Sequence, residues 1–150
     1  MTTKMVVIKM QFKLEDSLGF ILNKLNTKLK NELFKRLRNY NVTPEQWSVL
    51  NCLWAQEGIA PKELADKIYK DKPNTNRILE KLESKGLVIR KPHPSDKRSH
   101  QIFLTEVGWA FKEDLISTVT HLLDELTMGI EESKVEEMKV LLNKMFDNLK

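Results

Sequence analysis

The stretch PKELADKIYKDKPNTNRILEKLESKGLVIRKPHPSDKRSHQIFLTEVG, Pro61–Gly108, has the pattern that decides the fold. Two short segments with helical spacing of apolar residues are joined by a polar turn, and Gly86 is placed to end the second. Leu87–Ile89 and Gln101–Leu104 are short apolar runs on either side of a basic, polar loop. This order of helix, turn, helix, strand, loop and strand is that of a winged helix-turn-helix, which places its second helix in the major groove of DNA.

Helical patterns occupy most of the remaining chain. Leucines recur at positions 18, 22, 25, 29, 33 and 37, and this spacing predicts a long amphipathic first helix. Thr43, Pro44 and Gln46 form a capping-box pattern that begins a second helix. The expected helices lie at about 14–40, 44–57, 61–69, 73–85, 106–128 and 133–149, and the expected strands at about 59–60, 87–89 and 101–104. The predicted fold class is therefore mainly α with a small β-wing.

Composition favours a single, mainly helical domain over residues 1–150. The chain is 41% hydrophobic and 31% charged, which supplies one apolar core and does not fit a disordered protein. Its one cysteine excludes an internal disulfide and suits a reducing cytosol. The run Met5–Met10 is too short and too interrupted by lysine for a signal peptide or a membrane span. We therefore expect a cytoplasmic protein without a membrane partner.

Positive charge is concentrated in the central stretch. Residues 62–105 carry eleven Lys and Arg against six Asp and Glu, a net charge of +5, whereas residues 106–150 carry five against ten, a net charge of −5. A basic surface attracts the phosphate backbone and supplies the sequence-independent part of DNA affinity. On charge alone, a solvated lysine-rich surface is an equally good interpretation.

The start of the fourth helix has residue types that contact bases. Asparagine pairs with adenine and arginine with guanine through two hydrogen bonds each, and threonine contacts a base edge or the thymine methyl group. The residues predicted to contact DNA from this helix are Lys72, Asn74, Thr75, Asn76, Arg77 and Lys81. The alternative is that Asn74 and Thr75 only cap a surface helix, since both residue types favour helix starts.

The wing sequence resembles that of a known family. Asp96-Lys97-Arg98, followed by Leu104-Thr105-Glu106 and Gly108, is similar to the D-x-R…L-T-x-x-G signature of the MarR family of bacterial winged-helix transcription regulators. Further segments similar to that family, in the same order, are Thr43–Trp47, Glu63-Leu64-Ala65 and Arg77–Val88. The resemblance covers residues 14–150 in element order, and its motifs are densest from 43 to 108.

The resemblance implies an intertwined homodimer that binds a pseudo-palindromic site in double-stranded DNA, most often as a repressor. It divides the chain into a winged-helix lobe at 43–105 and dimerisation helices at 14–40 and 106–150. The residues alone also predict a partner, because a wing module of about 50 residues cannot cover the wide apolar stripes of the first, fifth and sixth helices. The two recognition helices of such a dimer would lie roughly 34 Å apart, one turn of DNA.

The same resemblance makes Arg98 the wing residue that enters the minor groove, where a narrow groove concentrates negative potential. Asp96 would orient this arginine or brace the wing, and Arg90, Lys91 and Lys97 add positive charge beside it. The local alternative is that Asp96 and Arg98 form an exposed ion pair of little energetic value.

The resemblance also implies a small aromatic or phenolic effector, bound in a cleft lined by the first, second and fifth helices. Trp47, Trp54, Trp109 and Phe111 are candidates for that lining, but aromatic residues at helical spacing usually belong to a core, so no effector-binding residue is assigned. Cys52 is expected to be a buried structural cysteine, and its oxidation is the alternative trigger.

The sequence lacks the motifs of an enzyme. It contains no pairing of a nucleophile with a base and no phosphate-cradling glycine loop, and His93, His100 and His121 match no metal-ligand spacing. We therefore expect no catalysis, no cofactor and no metal. The alternative to a DNA-binding regulator is a winged helix that only binds proteins, which would expose an apolar patch where this chain has Asn76 and Arg77.

Overall fold

The structure is a computed structural model that describes residues 11–150. The run Met5–Met10, interpreted above against a signal peptide or membrane span, lies outside these residues. The chain divides into two compact units, Met1–Trp47 and Ser48–Lys150. Within residues 11–150, no helix combines the length and the apolar character that crossing a bilayer requires.

The first unit is built on the long helix predicted from the leucine spacing. This helix, α1, spans Leu18–Leu37 and is flanked by 3-10 turns at Leu14–Asp16 and Arg38–Tyr40. Ser17 caps α1, because its hydroxyl accepts a hydrogen bond from the amide of Phe20 at 3.2 Å. The sequence-based prediction of this helix is therefore confirmed.

The apolar stripe of α1 is largely exposed among the described residues. Leu18, Leu22 and Leu25 remain 51%, 40% and 46% exposed. Among the residues of α1, only Leu37 is buried. An apolar stripe that stays exposed over several turns normally meets another surface in the assembled protein.

Helix α2, Pro44–Ala55, begins at the predicted capping box. The Thr43 hydroxyl accepts from the amide of Gln46 at 3.1 Å, and the Gln46 side-chain oxygen accepts from the amide of Thr43 at 3.2 Å. This reciprocal pair satisfies two amides at the helix start, which is the physical basis of the sequence pattern.

The second unit contains the predicted winged helix-turn-helix and the helices that follow it. Its elements are α3 (Pro61–Lys67), α4 (Lys72–Ser84), β1 (Val88–Pro92), β2 (His100–Leu104), α5 (Glu106–Ala110), α6 (Lys112–Leu126) and α7 (Glu132–Asn148). The strands pair antiparallel, with Val88 opposite Leu104 and Arg90 opposite Ile102. The brief strand expected at 59–60 is a single bridge from Ile59 to Ile102. The fold is mainly α with a small β-wing, as predicted.

The buried apolar residues of this unit come from helices α2, α3, α4 and α6, from both strands, and from the links that hold Ile59 and Leu87. These residues are Val49, Leu50, Leu53, Trp54, Ile59, Leu64, Ala65, Leu79, Leu82, Leu87, Val88, Ile102, Leu104, Leu115, Val119 and Leu122. Helix α7 differs, because none of its residues is buried. Met138, Leu141 and Met145 on α7 are 47%, 46% and 38% exposed, which leaves a second apolar stripe uncovered.

Most helices end within about four residues of the predicted positions, and two departures have a clear physical cause. The single helix expected from Thr105 to Met128 is interrupted at Phe111, whose ψ of −13° is shallower than that of a regular α-helix. Backbone hydrogen bonds nevertheless continue on both sides of Phe111. Helix α3 ends at Lys67, because Tyr69 takes a left-handed φ of +56° that a right-handed helix cannot continue.

Gly108 lies where α5 packs against the link between α4 and β1. The Thr105 hydroxyl caps α5 by accepting from the Gly108 amide at 3.1 Å, and it donates to the carbonyl oxygen of Gly86 at 2.6 Å. The indole N–H of Trp54 donates to the carbonyl oxygen of Gly108 at 3.0 Å. A Cβ added to Gly108 would stand well under 3.0 Å from the carbonyl oxygen of Leu87. The T-x-x-G part of the signature is therefore a packing requirement.

Candidate nucleic-acid interface

The recognition helix α4 begins at a strong N-cap. Asp71 Oδ1 accepts from the Asn74 amide at 2.7 Å, and Asp71 Oδ2 accepts from Asn74 Nδ2 at 2.9 Å. Pro73 follows in the first turn, where its missing N–H leaves no donor to satisfy. A carboxylate at this position satisfies an orphan amide and interacts favourably with the positive end of the helix. The first turn of α4 is thus anchored by its own cap.

The outward side of α4 carries polar and cationic side chains. Lys72, Arg77 and Lys81 are exposed, and Asn76 is half-buried. The Arg77 guanidinium donates to the side-chain oxygen of Asn74, so the first turn of the helix directs this arginine. Asn74 was also predicted to contact DNA, but its side-chain amide is bonded at one end to the N-cap Asp71 and at the other to Arg77, so in this structure it orients Arg77.

Thr75 was predicted to contact DNA, and this part of the prediction needs correction. Its side chain is 0% exposed, and its hydroxyl donates to the carbonyl oxygen of Asp71 at 2.8 Å. Thr75 shares the inner side of α4 with Leu79 and Leu82, four and seven residues further on, as the helical repeat requires. The spacing of Thr75, Leu79 and Leu82 in the sequence is a signal that could have placed Thr75 on the buried side.

The two faces of the wing hairpin have different environments. Val88 and Ile102 are buried, whereas Ile89 is 40% exposed on the other face. On that outer face the Lys91 ammonium lies 4.8 Å from the centre of the Phe103 ring. This cation–π contact holds an exposed lysine along the hairpin.

Arg90 was predicted to contribute positive charge to the DNA-facing wing, and the structure pairs it with α4 instead. Its Nε lies 2.7 Å from Glu83 Oε1, and the two side chains are 23% and 33% exposed. On the hairpin Arg90 is paired with Ile102, which is fully buried. We therefore correct its assignment to the joint between the wing and the recognition helix.

The wing loop presents Arg98 at its tip. The Arg98 side chain is 96% exposed, and its Nε lies 3.8 Å from Asp96 Oδ1. Asp96 Oδ1 also accepts from the Arg98 amide at 3.0 Å, and the Ser99 amide donates to the carbonyl oxygen of Asp96 at 3.0 Å. These hydrogen bonds, both accepted by Asp96, stabilise a tight turn at the wing tip. The guanidinium of Arg98 and the neighbouring exposed Lys97 project from this turn.

Lys85, just after α4, lies in a positively charged neighbourhood. Burial lowers the pKa of its ammonium group below the usual value, and the nearby charge of Lys81 lowers it further. The second effect arises because Lys81 and Lys85 lie near each other at this end of α4. A polyanion such as the phosphate backbone relieves that repulsion.

Two residues that shape this surface, Asp71 and Glu83, were not predicted from the sequence. Asp71 lies in the polar turn before α4, and an aspartate two residues before a proline at a helix start is a recognisable N-cap signal. Glu83 had no local signal, because its partner Arg90 is seven residues away, across a change from helix to strand.

Trp54 was considered above as effector lining and Cys52 as an oxidation trigger, and both have environments that favour a structural role. Trp54 is 6% exposed and its indole N–H is bonded to Gly108, so it is a core residue. Cys52 is half-buried, and burial raises the pKa of its thiol, although the charge of Lys67 opposes the shift. A raised pKa reduces the thiolate that reacts with oxidants.

Comparison with known sequences finds one family model and several transcriptional regulators. A model of the MarR family matches residues 42–100. The organic hydroperoxide resistance transcriptional regulator of Bacillus subtilis (strain 168) is 28% identical over 134 residues, which are 89% of this chain and 88% of that protein.

Two solved structures extend the similarity to the fold. A mutant of MarR from E. coli, complexed with operator DNA, is 32% identical with a TM-score of 0.80, over 85% of this chain and 92% of that chain. CouR from Rhodococcus jostii RHA1, bound to p-coumaroyl-CoA, is 26% identical with a TM-score of 0.80, over 90% of this chain and 95% of that chain.

Proposed function

Because this chain belongs to the MarR family and is a DNA-binding transcriptional regulator, we propose that it represses its target genes by binding an operator as a homodimer. The operator is pseudo-palindromic in this proposal, since a two-fold dimer presents the same lobe to each half-site. The observation that carries the proposal is the set of exposed cations on one lobe, Lys72, Arg77 and Lys81 on α4 and Arg98 on the wing. The protein acts in the cytoplasm and has no catalytic role.

Each DNA-contacting element has a separate task. Helix α4 enters the major groove, where Asn76 and Arg77 contact base edges and Lys72 and Lys81 contact phosphates. Arg98 enters the minor groove beside it, where its side chain meets concentrated negative potential. Major-groove contacts then set sequence preference, and the wing adds affinity and sensitivity to groove shape.

Uncovered apolar stripes support the homodimer. The first unit exposes leucines along α1, and the second exposes Met138, Leu141 and Met145 on α7. A second copy of the chain would bury both stripes, and burial contributes about 25 cal/mol for each Å² of apolar surface. In this proposal residues 14–40 and 106–150 are the dimerisation helices, and residues 43–105 are the DNA-binding lobe.

A small-molecule effector would control operator binding through geometry. CouR binds p-coumaroyl-CoA, an aromatic thioester, and is 26% identical to this chain. An effector that prefers a dimer with a different lobe separation removes base contacts from at least one half-site. The effector shifts the balance between the two dimer forms only to the extent that it binds one form more tightly than the other.

The proposal is tested by DNA binding at several salt concentrations. The probe is the region upstream of the protein's own gene, and the control is an unrelated fragment of equal length. We expect tighter binding to the upstream region, with log K falling linearly as log salt rises. Equal binding to both fragments, or binding independent of salt, would overturn the proposal.

Substitutions then test the assigned contacts. Arg98→Ala should weaken binding to many sequences alike, whereas Arg77→Ala or Asn76→Ala should relax preference at particular bases by about 1–3 kcal/mol. Lys139→Ala, at an exposed lysine on the side of α7 away from Met138, Leu141 and Met145, is the matched control for lost charge. If the first three variants bind like the control, these residues are not the contacts.

A winged helix that only binds proteins fits the surface less well. Such a module would expose an apolar patch along its recognition helix. The outward residues of α4 are cationic or polar instead, including Lys72, Arg77 and Lys81.

A further inference from the structure

We propose that the ion pair between Glu83 and Arg90 is a positioning device, which holds the wing at a fixed angle to the recognition helix so that both engage DNA together. This inference rests on the proposed function, because it assumes that α4 and Arg98 contact the same operator. Neither Glu83 nor Arg90 touches DNA in this proposal.

The geometry distinguishes this pair from an ordinary surface ion pair. Arg90 Nε lies 2.7 Å from Glu83 Oε1, and the two side chains are 23% and 33% exposed. The pair at the wing tip, between Arg98 and Asp96, is 3.8 Å apart and 96% and 54% exposed. Partly buried charges are screened less by salt and water, so the Glu83–Arg90 pair constrains its neighbours more.

The pair also lies where it controls the wing. Between its residues the chain turns at Gly86, whose φ is +75°, and the Leu87 amide bonds back to the carbonyl oxygen of Leu82 at 3.0 Å. The ion pair bridges this turn, because Glu83 is in the last turn of α4 and Arg90 is in the middle of β1. Any rotation of the hairpin about the turn would displace the wing tip relative to α4.

The loss of Glu83 should change DNA affinity in opposite directions, depending on whether its charge or its positioning of Arg90 matters. A carboxylate on a surface that binds a polyanion repels it, so its removal should tighten DNA binding if charge alone matters. If Glu83 holds Arg90 and thereby the wing, its removal should weaken binding although a negative charge has been lost.

The experiment compares Glu83→Ala with Glu80→Ala on the full-length protein. Glu80 is an exposed carboxylate three residues earlier on α4, so both variants lose the same charge from the same helix. The readout is affinity for the upstream DNA at several salt concentrations. We expect Glu83→Ala to bind about five-fold or more weakly, with a shallower salt dependence, and Glu80→Ala to bind as tightly as wild type or tighter.

A second readout separates positioning from general loss of stability. Arg98→Ala should weaken binding less in the Glu83→Ala background than in wild type, because a misplaced wing tip has little contact left to lose. Should Glu83→Ala melt below the assay temperature, Glu83→Gln and Glu80→Gln are compared in the same way.

Two outcomes overturn the inference. One is that Glu83→Ala binds as tightly as Glu80→Ala, and the other is that Arg98→Ala has its full effect in both backgrounds. Failure of the proposed function is a different result, since wild type itself would then lack salt-dependent, sequence-preferring binding.

Discussion

Gly108→Ala should destabilise the second unit. A methyl group at this position would overlap the carbonyl oxygen of Leu87 and lie 3.1 Å from Leu104 Cδ2. The obstacle is backbone rather than a flexible side chain, and it is held there, because the Thr105 amide donates to the same Leu87 oxygen at 3.0 Å. Relief therefore requires a movement of α5 or of the link between α4 and β1.

The cost follows from two opposing effects. Extra volume in a packed site costs about 1–3 kcal/mol, and this position is at the upper end because the clash is with backbone. Alanine is favoured over glycine inside a helix by about 1 kcal/mol, which offsets part of that cost. We expect a net loss of about 2 kcal/mol, which lowers Tm by about 4–8 °C in a chain of this size.

Thermal or urea unfolding measures this loss. Every variant should be compared at one fixed protein concentration, because the stability of a dimer depends on concentration. Gly19→Ala in α1 is the matched control, since nothing lies within 4 Å of a Cβ added there, and its stability should be unchanged or higher. A Gly108→Ala protein that melts at or above the wild-type temperature would refute the packing argument.

Three further changes test separate parts of the structure. Asp71→Ala should lower the free energy of unfolding by about 1 kcal/mol, because α4 loses its N-cap, and an unchanged urea midpoint would contradict that role. Trp54→Phe should also cost about 1 kcal/mol by removing the donor to Gly108, so superimposable unfolding curves would count against this bond. Cys52 should react with iodoacetamide at pH 7 more slowly than free cysteine, because burial raises its pKa. Equal rates would contradict the effect of burial on this thiol.

The sequence by itself determined the order of elements and most helix boundaries. The capping box at Thr43 and Gln46, the turn at Gly86 and the cap at Thr105 are local patterns whose hydrogen bonds join nearby residues. Such interactions depend little on the rest of the fold, so spacing and residue type suffice to predict them. The same holds for the exposed arginine of the wing, because a polar loop between two short strands places Arg98 at a tip.

Only the tertiary structure decided which polar residues of the interface face outward. Thr75 has the chemistry of a base contact, but packing of α4 against the core turns it inward. Arg90 has the charge of a phosphate contact, but folding of the hairpin onto α4 brings it to Glu83. A residue's type predicts what it can bind, whereas its partner depends on which surfaces meet when helix and strand pack together.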